Sequence, residues 1–204
     1  MPGRPSSERP ADRGQAHVLE GIVGAILVVT SVIFALQVTA VTPLTASTAN
    51  QHLQSQNSGV AADLLASADH RGTLGETIRY WNDSAGRFHD AGENGIYQAS
   101  IPTTFGRTLE NEFGRSGLVY NVDVWYLNGE RQTRQLTVLE QGTPSDHAVT
   151  VTRTVVLYDS DRLLTADETR SARTLADANR YPIPDVESGP VFNVLRVEVV
   201  VWRV

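Results

Sequence analysis

The sequence predicts an α+β protein: a long N-terminal transmembrane helix continues past a proline into a head with a mainly antiparallel sheet of about four strands and a short covering helix. Three observations carry this expectation. Gly21 to Val41 is an uncharged apolar run, and Leu118 to Tyr126 alternates apolar with more polar residues ahead of an Asn-Gly pair. Two later runs, Val149 to Tyr158 and Val191 to Val204, are dominated by β-branched residues.

The apolar run reads GIVGAILVVTSVIFALQVTAV, with Gln37 its one strongly polar residue. As a helix rising ~1.5 Å per residue it covers ~30 Å, the thickness of a hydrocarbon core. Apolar side chains surround it on every side, which suits lipid or a helical bundle better than the surface of a soluble domain. The preceding MPGRPSSERPADRG is rich in Pro, Ser, Gly and charge, and is expected to be disordered. Arg4, Arg9 and Arg13 lie on this side, whereas Thr42 to Gly59 has no Arg. The positive-inside rule then leaves the N-terminus in the cytoplasm and places everything after Val41 outside. The expected organisation is a basic leader over 1–14, a long helix over 15–69 with the span at 21–41, and an extracellular α+β head over 70–204.

Pro43 should bend or interrupt the helix, since it lacks an amide proton and clashes with the preceding turn. Helical sequence resumes from about Thr45 to Ala68, with Leu53, Val60, Leu64 and Leu65 as its large apolar residues. Residues 71–95 read as loop, with a short helix or turn near Leu74 to Trp81. Within them Asn82-Asp83-Ser84 is an N-glycosylation sequon, which belongs on a surface loop of an exported domain. Phe105, Leu109 and Phe113 recur every fourth residue and mark one face of the covering helix. In the sheet, Asn128-Gly129 predicts a two-residue type I′ turn pairing Leu127 with Glu130, a register that sets Asp123 opposite Arg134.

Composition removes whole classes of chemistry. There is no cysteine, hence no disulfide, thiolate nucleophile or Cys-rich zinc site. All 17 basic residues are arginine, so a P-loop lysine and a Schiff base are excluded too. The net charge is −6, and beyond the anchor 20 carboxylates face 14 guanidiniums. Such a surface repels a phosphate backbone, so no nucleic acid partner is expected. His17, His52, His70, His89 and His147 are scattered without a ligand spacing, and neither Gly-x-Ser-x-Gly nor Gly-x-Gly-x-x-Gly occurs. Asp159, Asp161, Asp167 and Glu168 cluster in YDSDRLLTADE, but without the glycine and final glutamate of an EF-hand loop. They read as a solvated acidic loop, and Trp81, Trp125 and Trp202 as aromatics completing a core or forming a platform. No catalytic residue, cofactor or metal is expected, and no enzyme.

The junction Arg13-Gly14-Gln15-Ala16-His17-Val18-Leu19-Glu20 places a basic residue, a glycine, a glutamine and a lone glutamate directly before the apolar run. It resembles the class III signal of type IV pilins and archaeal pilin-like proteins. The resemblance implies that a prepilin peptidase cuts between Gly14 and Gln15, and that the retained helix packs with other pilin-like subunits. It also implies that Glu20 pairs with the N-terminal amine of an adjacent subunit. Cutting there makes Glu20 the sixth mature residue, whereas the family pattern has glutamate fifth. The other reading of Glu20 is a helix-start acid at the membrane interface, where it suits the helix dipole. The whole chain also resembles a group of haloarchaeal pilin-like membrane proteins, through FALQVTAVTPL (34–44), YWNDSAGRFH (80–89), TPSDHAVTVTRTVVLYD (143–159) and VEVVVWRV (197–204). An acidic, lysine-free composition accords with that resemblance, which brings no established activity with it. The expected role is a membrane-anchored, extracytoplasmic pilin-like surface protein and minor subunit of a pilus-like assembly; the alternative is a permanently anchored binding or adhesion module.

Overall fold

The computed structural model describes residues 10–186 and 188–203, with side chains described for 17–36 and from Gln54 onward. The chain forms two units, residues 1–51 and 52–204. Helix α1 is assigned from Pro10 to His70 and contributes to both. Most of the basic leader, residues 1–9, lies outside the described residues. The bend expected at Pro43 falls where side chains are not described.

In the first unit, His17–Leu36 has a mean hydropathy of 2.4 and none of it is buried. Its two hydroxyls are satisfied within the helix: Thr30 Oγ1 donates to the Ile26 carbonyl and Ser31 Oγ to that of Leu27, both at 2.7 Å. No hydroxyl is then left to be solvated, as a hydrocarbon environment requires. Among the described residues, one helix is therefore long and apolar enough to cross a membrane.

In the second unit the end of α1 buries Ala61, Leu64, Leu65 and Ala68, a spacing that puts all four on one face. Gly72, at φ +77°, turns the chain into α2, Thr73–Ile78. A small hairpin follows, β1 (Trp81–Asn82) with β2 (Arg87–Phe88). Helix α3, Thr104–Glu112, is capped by Thr103, whose Oγ1 accepts from Gly106 N at 3.3 Å. As the four-residue spacing predicts, Phe105, Leu109 and Phe113 are all buried. Gly106 is required by close approach, because a Cβ there would lie 2.0 Å from the Ile101 carbonyl oxygen.

The main sheet contains β3 (Leu118–Leu127), β4 (Thr133–Leu139), β5 (Val149–Tyr158) and β8 (Val191–Arg203), in the order β4-β3-β8-β5. All neighbours are antiparallel. The last strand is thus interior to the sheet, which accords with its alternating apolar face: Leu195, Val197, Val199 and Val201 are essentially sealed from water. A further hairpin, β6 (Arg162–Leu164) with β7 (Arg170–Thr174), lies against β1. One core joins the inner sheet face, the end of α1, α2 and α3.

The β3–β4 register differs from expectation. The connection is five residues, 128–132, and the first pair is Leu127 with Thr133. Asn128 organises it: its Oδ1 accepts from Glu130 N at 3.0 Å and Gln132 N at 2.8 Å, while its own N donates to the Gln132 carbonyl at 2.9 Å. An Asx-turn has displaced the type I′ turn, and Arg131 takes the left-handed position at φ 59°. Arg134 consequently pairs with Tyr126, and Asp123 faces Thr137, whose Oγ1 donates to Asp123 Oδ1 at 2.8 Å. A bulge then skips Val138, so that Val122 pairs with Leu139.

Candidate functional site

The features the sequence singles out fall into separate places. Gly14 and Gln15 lie within the range of α1, but their side chains are outside the described residues. Glu20 is on the helix surface, its side chain 83% exposed, with His17 Nδ1 3.7 Å from Oε2. A pair so exposed holds neither partner firmly. Glu20 lies within an exposed apolar surface formed by Val18, Leu19, Ile22, Val23, Ile26 and their successors. Carboxylate and apolar surface together make this stretch the better candidate for a functional region.

Asn82-Asp83-Ser84 occupies the β1 end of the first hairpin. Asn82 Oδ1 accepts from Ser84 N at 3.1 Å and Ala85 N at 3.0 Å, folding the turn, and Gly86 completes it at φ +68°. Asp83 points the other way. Its carboxylate accepts from the Arg173 guanidinium, from Asn179 N (3.0 Å to Oδ1) and from Arg180 N (2.7 Å). Burial alone would raise its pKa, but those donors outweigh it and hold the carboxyl below its usual range. Trp81, next in sequence, is buried with its ring edge-on to Phe88 and Tyr181, and its Nε1 lacks an acceptor. Trp81, Asn82, Asp83 and Arg173, with His89 and Leu164, are among the residues lining a cleft of about 260 Å³ between the two small hairpins.

The acidic stretch is tied into the fold more than its sequence suggests. Asp161 Oδ2 accepts from Tyr158 N at 2.9 Å, and Oδ1 lies 3.8 Å from Arg79. Glu168 binds the start of α3, accepting from Thr104 N at 2.8 Å and from Arg107 at 2.8 Å. Burial opposes its ionisation, yet these donors lower its pKa as well. Glu168 sits at φ 56° in the β6–β7 turn, a hairpin that charge pattern alone had read as loop. No group of three or more metal-ligating side chains occurs among the described residues.

The remaining candidates are distributed through the head. His89 Nε2 lies 3.0 Å from the Leu164 carbonyl, and His147 Nδ1 3.3 Å from Gln54 Nε2. Trp81 and Trp202 are buried, and Trp125 lies on the outer sheet face beneath Arg196, whose guanidinium carbon is 5.5 Å from the ring centroid. The single Tyr80 hydroxyl proton is shared between Asp90 Oδ2 at 3.1 Å and the Ala166 carbonyl at 2.8 Å, and burial followed by the Asp90 hydrogen bond and charge pushes its pKa up to about 12. The Asp83 anchor had no signal in the sequence, because its partners come from positions 173–180.

Fold and site together define a class: a protein with a membrane-length apolar helix near its N-terminus and an antiparallel α+β head. More particularly, the chain belongs to DUF7288, a family of unknown function, whose model matches residues 13–201. No curated protein and no solved structure matches it.

Proposed function

We propose that the chain is a membrane-anchored, extracytoplasmic, pilin-like surface protein and a minor subunit of a type IV pilus-like assembly. The observation that carries this reading is the Arg13-Gly14-Gln15 junction with Glu20, set at the start of an apolar stretch whose described side chains are all exposed. A surface of that kind must be covered by lipid or by other helices. On this reading membrane lipid covers it before assembly, a prepilin peptidase cuts after Gly14, and pilin-like subunits cover it afterwards. Glu20 then needs a cationic partner as it enters an apolar environment, since an unpaired carboxylate there is costly. The N-terminus stays cytoplasmic and the acidic head lies outside. Nothing in this role calls on catalysis, a cofactor or nucleic acid.

Mass spectrometry of the mature N-terminus tests it. A chain beginning at Gln15 is expected; an intact Met1 end, or a cut beyond the apolar segment, overturns the processing claim. Glu20→Ala should leave the protein in the membrane but remove it from any assembly, read by crosslinking in intact cells. The sixth-residue position of Glu20 favours a second reading, a permanently anchored extracellular binding or adhesion module. Detergent-extracted monomer that retains its leader is the outcome that selects it.

A further inference from the structure

We infer that Asn82 is an N-glycan acceptor, and that it can accept its glycan only before segment 173–180 closes on Asp83. The inference rests on the outward placement of the head proposed above. The transfer joins Asn82 Nδ2 to the anomeric carbon of a lipid-phosphate-linked oligosaccharide. The bond from that carbon to the phosphate oxygen breaks, the lipid phosphate leaves with the electron pair, and one Nδ2 proton passes to a base of the transferring enzyme. The acceptor must therefore offer a free Nδ2 with the Ser84 hydroxyl two residues on.

Both are present: the Asn82 side chain is engaged through Oδ1, which accepts from Ser84 N and Ala85 N, and Ser84 is exposed. An enzyme reading Asn82 and Ser84 together must, however, grip the chain on both sides of Asp83. In the folded head that chain is held down. Asp83 accepts from Arg173, Asn179 N and Arg180 N, and the Arg180 guanidinium donates to the Ser84 carbonyl at 3.2 Å. Drawing the sequon into a second protein would break all of these and expose a side chain that is 7% exposed. The partners lie 90 to 97 residues later in the chain. A chain emerging N-terminus first thus presents a free sequon until those residues arrive, and then withdraws it.

Two measurements decide it. From native membranes, the tryptic peptide Tyr80–Arg87 should carry a glycan mass that disappears in Asn82→Gln and Ser84→Ala and persists in Ser84→Thr. In parallel, full-length chain from a host lacking the transferase is folded and then offered to transferase-bearing membranes with lipid-linked donor. Folded wild type should be modified at least about tenfold more slowly than Asp83→Ala or Arg173→Ala, as expected when reaction requires local opening. Chain synthesised in the presence of those membranes should be modified readily. If nascent chain and both variants stay unmodified, Asn82 is not an acceptor; if folded wild type reacts as fast as the variants, the order of events is wrong. A Ser145→Cys variant, labelled with a membrane-impermeant thiol reagent in intact cells, keeps the two readings apart. Lack of labelling overturns the outward placement, while the membrane assay still decides whether Asn82 can accept.

Discussion

A carboxylate almost sealed from water stays charged only where donors surround it, and Asp83 has the Arg173 guanidinium and two backbone amides. Removing it strands the amides of Asn179 and Arg180. Asp83→Ala is therefore expected to destabilise the head by about 2–4 kcal/mol, measured by urea unfolding, whereas Ser84→Ala, at an exposed position, should fall within about 0.5 kcal/mol of wild type. The same side chain sets an acid limit. Its pKa is lowered in the folded state, as is that of Glu168. Their contribution is thus complete above the unfolded carboxylate value of about 4 and is lost as pH falls through the lower folded values. Tyr80 works at the other end. Its pKa is raised to about 12, so its contribution is complete below the unfolded value of about 10 and is lost as pH rises toward 12. Circular dichroism against pH should show a plateau between these limits; a midpoint of unfolding near neutrality would contradict both assignments.

The sheet carries one local conflict and one strained turn, and each predicts a stabilising substitution. Asp123 and Glu198 are direct cross-strand partners on the outer face, an arrangement in which like charges repel. Glu198→Thr should raise stability by about 0.5 kcal/mol, because it removes the repulsion and places a β-branched residue in an interior strand. Arg131 sits at φ 59° in the 128–132 loop, so Arg131→Gly should stabilise by about 0.5–1 kcal/mol, while Asn128→Ala should cost about 1 kcal/mol by removing the turn's acceptor. Elements whose residues carry their own period were legible from sequence: Val149–Tyr158 was read to its ends, and the Phe105, Leu109 and Phe113 face was read correctly. Elements decided by distant partners were not. The β3–β4 register depended on whether Asn128 would cap its own loop, and β6–β7 was hidden by carboxylates that turned out to bind Tyr158 N and the start of α3. The central place of β8 was invisible because strand order is set by which edges meet, not by any one strand's pattern.

At the scale of the whole chain, two kinds of surface are joined in one molecule, and each predicts a different solvent. Among the described residues, the core of the second unit is built from residues from Val60 onward. A chain beginning at His52 is expected to be soluble without detergent and to melt within about 3 °C of the same unit in full-length protein, since it keeps every one of those core residues. The span itself has exposed Leu, Ile, Val and Phe along His17–Leu36, and no hydroxyl there lacks a partner. Full-length protein should accordingly stay with membranes through an alkaline carbonate wash, which strips proteins held only by surface charge. Val28→Arg places a guanidinium near the middle of that stretch, at a cost of about 2.5–3.5 kcal/mol per charge at a helix centre. That one substitution should move part of the protein into the wash, and Val28→Arg combined with Val32→Arg should move most of it. Retention of the double variant would mean that the apolar helix is not held by lipid, and would leave association with another protein's helices as its cover.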